Sequence, residues 1–281
     1  MRVGAVARRA LSLVLVLPAF GPATISTRAQ TSGQEALPPA APVISLWYRG
    51  TPPGMPRRED LDAIRAAGFT GVTWPSREAA GAAALARLAE STPLHVTLRI
   101  APVPVTASTA RQKNATVDVA PGPRGERVAA LAWRALAHGA SVVSIDPGVA
   151  SGTGLDAGAT APPWLAPVQQ VSRTLASASQ LFTEARSVAN VPTDPVLADA
   201  LELRMLEDAR SWILVATNAS GARARAVARL PPGIPNALWV NLIDGGLLSM
   251  IAEPLGARWN VDLPPWAARV YVVNKGIRFP S

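Results

Sequence analysis

The spacing of hydrophobic residues alternates between the strand and helix periods over residues 43 to about 190. Short β-prone runs alternate with segments in which apolar residues recur every three or four positions. The predicted strands are 43–48, 69–74, 95–100, 115–119 and 141–145. The predicted helices are 56–67, 75–89, 124–138 and 163–189. Alternating strands and helices form parallel sheets with right-handed crossovers, so this section predicts an α/β domain.

From about residue 195 the hydrophobic period changes to that of β-strands. The predicted strands are 201–206, 211–217, 222–230, 237–242, 247–251, 259–263 and 268–273. Turn-forming stretches rich in Asn, Asp, Gly and Pro separate several of them. Short strands at this spacing predict an antiparallel β-sandwich. We therefore expect one domain over 43–192 and a β-sandwich domain over 193–281.

The N-terminal 29 residues have the three parts of a cleavable signal peptide. Arg2, Arg8 and Arg9 are basic, and an apolar run over 10–20 follows them. That run is shorter than the ~20 residues that a membrane-spanning helix requires. We expect cleavage before Gln30, with the Sec route favoured and the twin-arginine route left open. The mature chain is then secreted or periplasmic and does not span the membrane, and the Pro-rich residues 30–42 form a disordered spacer.

The formal net charge of +8 falls to +4 once the four arginines of residues 1–29 are removed. The remaining basic residues form no dense run with interleaved aromatic residues, as a nucleic-acid groove requires. A nucleic-acid partner is therefore not expected. The chain has no cysteine and two histidines, so no disulfide, transition-metal site or other cofactor is expected either.

Several segments resemble parts of a glycoside hydrolase barrel. Residues 131–140 (LAWRALAHGA), followed by a strand ending at Asp146, are similar to the last helix–strand step of the family 42 β-galactosidases. Residues 43–74 resemble a first βα unit with its second strand, and the helix from 163 is similar to the closing helix of such barrels. The tail from Trp212 to Val273 resembles the β-domain that follows them. The resemblance implies a TIM-like barrel, a β-domain and a glycan partner.

The predicted barrel is shorter than the family requires. A complete eight-stranded barrel takes about 200–250 residues, and residues 43–190 hold four to six βα units. The missing middle units carry the acid/base carboxylate in the family. We therefore predict a shortened (β/α) TIM-like barrel followed by an antiparallel β-sandwich. Its open edges need cover, either from the loop over 101–123 or from a second subunit in a homo-oligomer.

Asp118 and Asp146 are the carboxylates at predicted strand ends, where barrels place catalytic groups. Glycoside hydrolysis uses two carboxyl groups across the scissile bond, so these two are the candidate catalytic pair. The alternative for Asp146 is a bond to loop backbone before Pro147 and Gly148, as Asp makes in turns. The alternative for Asp118 is that its short segment forms no strand.

Four aromatic residues and one arginine are the candidate glycan-binding residues. Sugar rings stack on aromatic side chains, and pockets favour aromatic linings with few polar groups. The candidates are Trp47, Tyr48, Arg49, Trp74 and Trp164. The alternative for the tryptophans is ordinary core packing, which the sequence favours slightly for Trp47.

These observations predict a secreted carbohydrate-active protein that binds a glycan with weak or no catalysis. One alternative is an active retaining or inverting glycosidase that uses Asp146 and a second carboxylate. The other is a structural module without catalysis.

Overall fold

The chain has 281 residues, and a computed structural model describes twelve stretches of it. The described residues are 24–25, 41–50, 55–74, 79–99, 114–118, 125–148, 153, 155, 161–197, 200–234, 238–253 and 256–275. The predicted spacer over 30–42 and the loop over 101–123 lie largely outside them.

Strands and helices alternate in the first half, and strands dominate the second. The strands are β1 (Thr24–Ile25), β2 (Val43–Trp47), β3 (Gly71–Trp74), β4 (His95–Arg99), β5 (Asn114–Asp118), β6 (Val142–Asp146), β7 (Arg186–Asn190), β8 (Thr193–Asp194), β9 (Leu201–Glu207), β10 (Ser211–Asn218), β11 (Ala224–Leu230), β12 (Trp239–Asn241), β13 (Leu247–Leu248), β14 (Ile251–Glu253), β15 (Gly256–Leu263) and β16 (Ala268–Asn274). The helices are α1 (Arg58–Ala66), α2 (Ala79–Glu90), α3 (Gly125–Ala137), α4 (Leu165–Ser177) and α5 (Ser179–Glu184). The predicted mixture of a parallel sheet with antiparallel sheets is confirmed.

The first sheet has the strand order β1-β4-β3-β2-β6-β5. Strands β2 to β6 are parallel, and β1 pairs antiparallel with β4. The first parallel strand, β2, lies between the second and the last, which is the order of a barrel opened between β4 and β5. Within the described ranges β4 and β5 do not pair. Strand β1 falls inside the predicted signal peptide, so cleavage before Gln30 would remove it and leave β4 at the edge.

One face of this sheet is apolar and packs against helices. Ile44, Leu46, Val72, Val143 and Ile145 lie in one hydrophobic core with α1, α3 and α4. The helices present their buried residues at helical spacing, for example Leu61 and Ile64 in α1 and Val168, Val171 and Leu175 in α4. Gly68 and Gly139 follow α1 and α3 with φ of 88°, the left-handed conformation that ends helices.

The opposite face carries small hydroxyl residues. Ser45, Thr73 and Ser144 are fully buried, and their hydroxyl groups form a closed ring of hydrogen bonds. The Ser45–Thr73, Ser45–Ser144 and Thr73–Ser144 oxygen distances are 2.7, 3.0 and 2.6 Å. Because β2 separates the strands of Thr73 and Ser144, a flat sheet would hold those strands roughly 9–10 Å apart. The contact shows that the sheet is curved, with this face concave.

Two antiparallel sheets form the second half. Their strand orders are β13-β12-β16-β10-β9-β7 and β14-β15-β11-β8. Residues of both sheets meet in one hydrophobic core, for example Leu203 and Leu214 from the first and Trp259 and Val261 from the second. Alternate residues of β11 and β15 are buried, as expected for strands with one face on a core.

The first of these sheets also packs against helix α3. Leu206, Ile213, Val215 and Val270 belong to the same core as Trp133 of α3. The β9–β10–β16 sheet is therefore covered on both faces, by α3 on one and by the second antiparallel sheet on the other.

One predicted helix differs from the structure. The helix predicted over 163–189 is two helices, α4 and α5, separated at Ala178, whose φ and ψ of −118° and 25° are not helical. The chain then becomes strand β7, which pairs with β9. Arg186 at the start of β7 forms an ion pair with Glu207 of β9, a long-range contact that helical periodicity does not reveal.

Candidate functional site

Arg49 and Asp146 form a two-point ion pair at the carboxyl edge of the parallel sheet. Arg49 Nη1 donates to Asp146 Oδ1 at 3.1 Å, and Nη2 donates to Oδ2 at 2.9 Å. The Asp146 side chain is 11% exposed and that of Arg49 is 27% exposed. The Arg49 side chain is therefore the part of this pair that solvent reaches more readily. Paired fork geometry of this kind is stronger and more directional than a single contact.

Strand pairing and two turns bring these residues together. Asp146 ends β6 and Arg49 lies two residues after β2, and these strands are parallel neighbours. Gly50 follows Arg49 with φ of 82°, and a Cβ there would lie 2.7 Å from the Met55 carbonyl oxygen. Gly148, with φ of 70°, donates its backbone N–H to Asp146 Oδ1 at 2.9 Å. The bond from Gly148 to Asp146 agrees with the alternative in which Asp146 binds the backbone of the following loop.

Trp47 lies beneath the guanidinium of Arg49. The Arg49 Cζ atom is 5.8 Å from the centre of the Trp47 ring, within the range of a cation–π contact. Trp47 is only 1% exposed and belongs to neither hydrophobic core cluster. Its indole N–H is buried and has no hydrogen-bond acceptor within the described part of the chain. The ring therefore supports Arg49 and is not an open stacking platform.

The hydrogen bonds of Asp146 bear on whether this residue can act as a general acid. Its Oδ1 accepts from Arg49 and Gly148, and its Oδ2 accepts from Arg49. A general acid must carry a proton on one of these oxygens, and that proton would displace a hydrogen bond from the guanidinium. The geometry is therefore less suited to a general acid at Asp146 than to a hydrogen-bond acceptor.

Asp118 lies beside Asp146 at the end of the neighbouring strand. The register of β5 and β6 sets Asp118 opposite Asp146, so the predicted strand at 115–119 does form, over Asn114–Asp118. The Asp118 side chain lies outside the described part of the structure. The backbone brings the two candidate carboxylate positions together, and no separation between their oxygens follows from it.

Tyr48 and Trp74 lie on the apolar, helix-covered face of the sheet. Both are fully buried, and their rings make an edge-to-face contact at 5.4 Å. The Tyr48 hydroxyl donates to Asp60 Oδ2 at 2.7 Å and accepts from the Arg57 N–H at 2.9 Å. Burial, with the Asp60 hydrogen bond adding to it, raises the pKa of Tyr48 well above its usual value. This corrects the sequence-based expectation that both line a cleft: Tyr48 fastens β2 to α1, and Trp74 fills the core.

Trp164 lies at another place in the fold. It precedes α4 and is half-buried, and its ring packs against Phe69 at 6.4 Å. Phe69 comes just before β3, so this contact is at the amino end of that strand, whereas Arg49 and Asp146 lie at the carboxyl ends of β2 and β6. The structure thus brings together Trp47, Arg49 and Asp146 of the predicted residues, with Asp118 beside them.

A cavity of about 140 Å³ lies at the amino end of β2. Val43, Thr70, Ser172 and Leu175 are among its mostly apolar lining residues. Barrel enzymes place their active sites at the carboxyl end of the strands, so this cavity is not at the expected catalytic edge.

A partly buried charged cluster between the two halves was not anticipated from the sequence. Arg134 of α3 and His138, which directly follows α3, contact the Glu202 carboxylate of β9, with shortest N–O distances of 3.2 and 2.5 Å, and Arg204 adds a third contact at 3.4 Å. Burial alone raises the pKa of Glu202, but the His138 hydrogen bond and the surrounding positive charge outweigh it, so the pKa is lowered. Arg134 and His138 are four residues apart and share one helix face, but nothing in the sequence pairs them with Glu202.

The hydroxyl ring was also missed, although a signal for it exists. Ser45 precedes Trp47 by two residues, and Ser144 precedes Asp146 by two. In a strand, positions two apart share a face. A hydroxyl residue two positions before a candidate site residue therefore marks the layer directly beneath it.

Across the ranges described above, no helix is both long enough and apolar enough to cross a membrane. Nor do three or more His, Cys, Asp or Glu side chains in those ranges come together as metal ligands.

No protein-family model matches the sequence. No curated protein sequence matches it. Parts of the structure are similar to solved carbohydrate-active enzymes. A γ-cyclodextrin glucanotransferase (γ-CGTase) from Alkalophilic bacillus clarkii is 14% identical, with 60% of this chain matched to 28% of that one at a TM-score of 0.40. A maltogenic α-amylase, AmyB from Thermotoga neapolitana, is 11% identical, with 57% matched to 41% at 0.41.

The cyclomaltodextrin glucanotransferase CldA is 10% identical, with 74% of this chain matched to 50% of that chain at a TM-score of 0.38. The chain thus spans half or less of each of these three proteins. These comparisons do not show the resemblance to the family 42 β-galactosidases. The likeness is too distant to assign an activity to this chain.

Proposed function

We propose that this protein is an exported carbohydrate-binding protein with weak or no catalytic activity. It is built as a shortened (β/α) barrel followed by an antiparallel β-sandwich. The observation that carries the proposal is the Arg49–Asp146 ion pair, partly open to solvent, at the carboxyl edge of the parallel sheet.

The strand order and curvature support the shortened barrel. The first parallel strand, β2, has the second and the last as its neighbours. The Thr73–Ser144 contact across β2 requires a concave face. Barrel diameter grows with the number of strands, so a lumen formed by only five strands is narrow and needs small interior residues. Gly71 fits this requirement, because a Cβ there would lie 2.5 Å from Val43 Cγ1.

The exposed chemistry at this edge suits glycan hydroxyl groups. A guanidinium and a carboxylate offer donors and acceptors side by side, and polar groups of this kind fix the orientation of ligands in pockets. Trp47 is buried beneath Arg49 and keeps its guanidinium at the carboxyl edge of the parallel sheet. Because Arg49 occupies both oxygens of Asp146, the pair holds a sugar more readily than it transfers a proton to one.

The alternative of an active glycosidase rests on Asp118. Its position opposite Asp146 is where a second carboxylate is required. A separation of about 5 Å between the carboxyl groups corresponds to a retaining enzyme, and about 6.5–9.5 Å to an inverting one. An active enzyme would hydrolyse aryl glycosides, and Asp118→Asn and Asp146→Asn would each abolish that turnover.

The binding test is titration calorimetry with a panel of neutral oligosaccharides that differ in sugar and linkage. We expect one class to release heat with the unaltered chain and to bind at least about tenfold more weakly to Arg49→Gln and Arg49→Lys. Lysine keeps the charge but loses the two-point geometry. Arg173→Gln, at an exposed arginine of α4, is the matched control, and a thermal melt of each variant verifies folding.

A structural module without ligands is the remaining alternative. The core shared by α3 and the β9–β10–β16 sheet suits such a role. If no member of the panel gives heat and none is hydrolysed, the structural module replaces the proposal.

Export and assembly are parts of the proposal with tests of their own. N-terminal sequencing of the protein recovered outside the cytoplasm is expected to begin at Gln30. Either the loop over 101–123 or a second copy of the chain is expected to cover the open edges of the parallel sheet. If it is a second copy, light scattering after gel filtration gives a dimer or larger. A monomer would contradict the oligomer while leaving the glycan proposal intact.

A further inference from the structure

The outward side of the second antiparallel sheet carries an unusual set of charges. Residues 223–230 read RARAVARL, and the alanines at 224, 226 and 228 are buried while the arginines are exposed. In a strand every second residue faces the same way. Arg223, Arg225 and Arg229 therefore project from one side, and Arg258 of β15 joins them there. We call this surface, defined by these four residues, the arginine face.

Carboxylates neutralise part of the arginine face. Asp262 contacts Arg223 and Arg225, and Glu253 contacts Arg258. The two-point contact of Arg223 with Asp262, one arm of which is 2.9 Å long, shows that arginines of this face hold a carboxylate through a paired fork. Asp194 of β8 is a third acid beside this face, because it is opposite Val227, which lies between Arg225 and Arg229 on β11.

Arg229 and Arg258 are directly opposite each other on paired strands. Like charges in this position destabilise a sheet. Arg229 forms no ion pair with an acid in the part of the chain that the structure describes, and Glu253 is the acid next to Arg258. The excess positive charge of the arginine face therefore lies at Arg229, beside Arg258, where it does not stabilise the sheet.

We propose that the arginine face binds an acidic polysaccharide through the carboxylate groups of its sugars. Arginine matches carboxylate geometry with two parallel hydrogen bonds, as Arg223 already does with Asp262. Arg225 and Arg229 of β11, with Arg223 directly before that strand, present donors along one line at intervals of two and four residues, which suits a linear polymer. A carboxylate placed between Arg229 and Arg258 would replace their repulsion with two attractive contacts. This surface lies on a different sheet from the Arg49–Asp146 pair, so the inference goes beyond the proposed function and does not rest on it.

Single-stranded nucleic acid suits this face less well. Sequence-tolerant binding of single strands needs aromatic rings on which bases stack. The outward positions of β11 and β15 that lie between these arginines are Val227, Asn260 and Asp262, and none is aromatic.

The test measures binding of the purified full chain to polygalacturonate, with neutral dextran and a single-stranded oligonucleotide as comparison polymers. Polygalacturonate is expected to bind and dextran not to bind, and the affinity is expected to fall as salt rises. Arg229→Gln is expected to weaken binding about three- to fivefold, the upper end for one exposed ion pair, and Arg225→Gln with Arg229→Gln to weaken it further. Arg173→Gln on α4 is the matched control and is expected to change nothing.

A thermal melt separates binding from a structural role. Because Arg229→Gln removes the repulsion with Arg258, its melting temperature is expected to equal or exceed that of the unaltered chain. The proposal would be overturned if Arg229→Gln and the unaltered chain bound polygalacturonate with equal affinity. It would also be overturned if the unaltered chain bound the oligonucleotide more tightly than polygalacturonate. Loss of neutral oligosaccharide binding in Arg49→Gln alone bears only on the proposed function.

Discussion

Thr73 and Ser144 are hydrogen-bonded at 2.6 Å although strand β2 lies between their strands. The third member of the ring, Ser45, is on β2 itself. The contact can form only because the sheet curves around this face. Arg49 and Asp146 pair at the carboxyl ends of the two neighbouring strands β2 and β6 of this curved sheet.

The hydroxyl ring is expected to contribute to stability. Ser144→Ala leaves two buried hydroxyl groups without their shared partner, which costs about 1–2 kcal/mol of unfolding free energy. Ser249→Ala, at an exposed serine, is the control and is expected to change the free energy very little. Urea unfolding of both variants gives the comparison. Equal stabilities of the two variants would show that the ring contributes nothing.

The concave face is expected to tolerate no added atom at Gly71. The Cβ of Gly71→Ala would lie 2.5 Å from Val43 Cγ1 and 2.9 Å from the His95 carbonyl oxygen. Overpacking of this kind costs about 1–3 kcal/mol. At Gly221 a Cβ would meet Trp266 at an ordinary 3.4 Å, so Gly221→Ala is the control. A Gly71→Ala protein that melts at the same temperature as this control would contradict the tight curvature.

The Glu202 cluster predicts a loss of stability in acid. Because the folded-state pKa of Glu202 is lowered, its contribution is fully present above the unfolded-state value of about 4.3. That contribution is lost as the pH falls through the folded-state pKa. Glu202→Gln leaves Arg134 and His138 without their carboxylate and is expected to cost about 2 kcal/mol at neutral pH.

Glu59 is the control for this comparison, because its ion pair with Arg57 is exposed and such pairs contribute little. Denaturant unfolding from pH 7 down to pH 3 is the measurement. The difference between the unaltered chain and Glu202→Gln should shrink in acid, whereas Glu59→Gln should differ little throughout. A difference that stays constant with pH would rule out the linkage.

Tyrosine ionisation offers a test of the two buried rings. The chain has two tyrosines, Tyr48 and Tyr271, and burial raises the pKa of each. The ultraviolet absorbance of tyrosinate in the folded protein is therefore expected to appear well above pH 10, and to move to about pH 10 in urea. Tyr48→Phe leaves Tyr271 as the single reporter. Titration of a full tyrosine near pH 10 in the folded protein would contradict the burial of that ring.

The order of strands and helices could be predicted because their periods are clear. Alternating residues such as Ala224 to Leu230 are characteristic of a half-buried strand, and Gly68 and Gly139 end helices as glycine does. Strand β7 could not be predicted, because it exists only through its pairing with β9. The spacing of apolar residues within 163–189 contains no information about pairing with β9.

The site was predictable in part. Asp146 and Arg49 follow from their positions at strand ends, where parallel sheets gather functional residues. Successive residues of a strand point to opposite faces, so a shift of one residue moves a side chain to the other face. The sequence alone does not tell which face Trp47 and Trp74 occupy. In the structure Trp74 lies on the helix side, and Trp47 lies on the concave side. The Glu202 cluster joins residues more than sixty positions apart, a distance over which spacing is uninformative.

A crystal structure of the chain with the oligosaccharide that the calorimetric panel selects would show directly whether the Arg49–Asp146 pair binds a glycan. Sugar hydroxyl groups are expected within hydrogen-bond distance of the Arg49 guanidinium, with the glycosidic bond intact and the Arg49–Asp146 pair still in place. An oligosaccharide bound away from the carboxyl edge of the parallel sheet, or cleaved there, would contradict the proposed function.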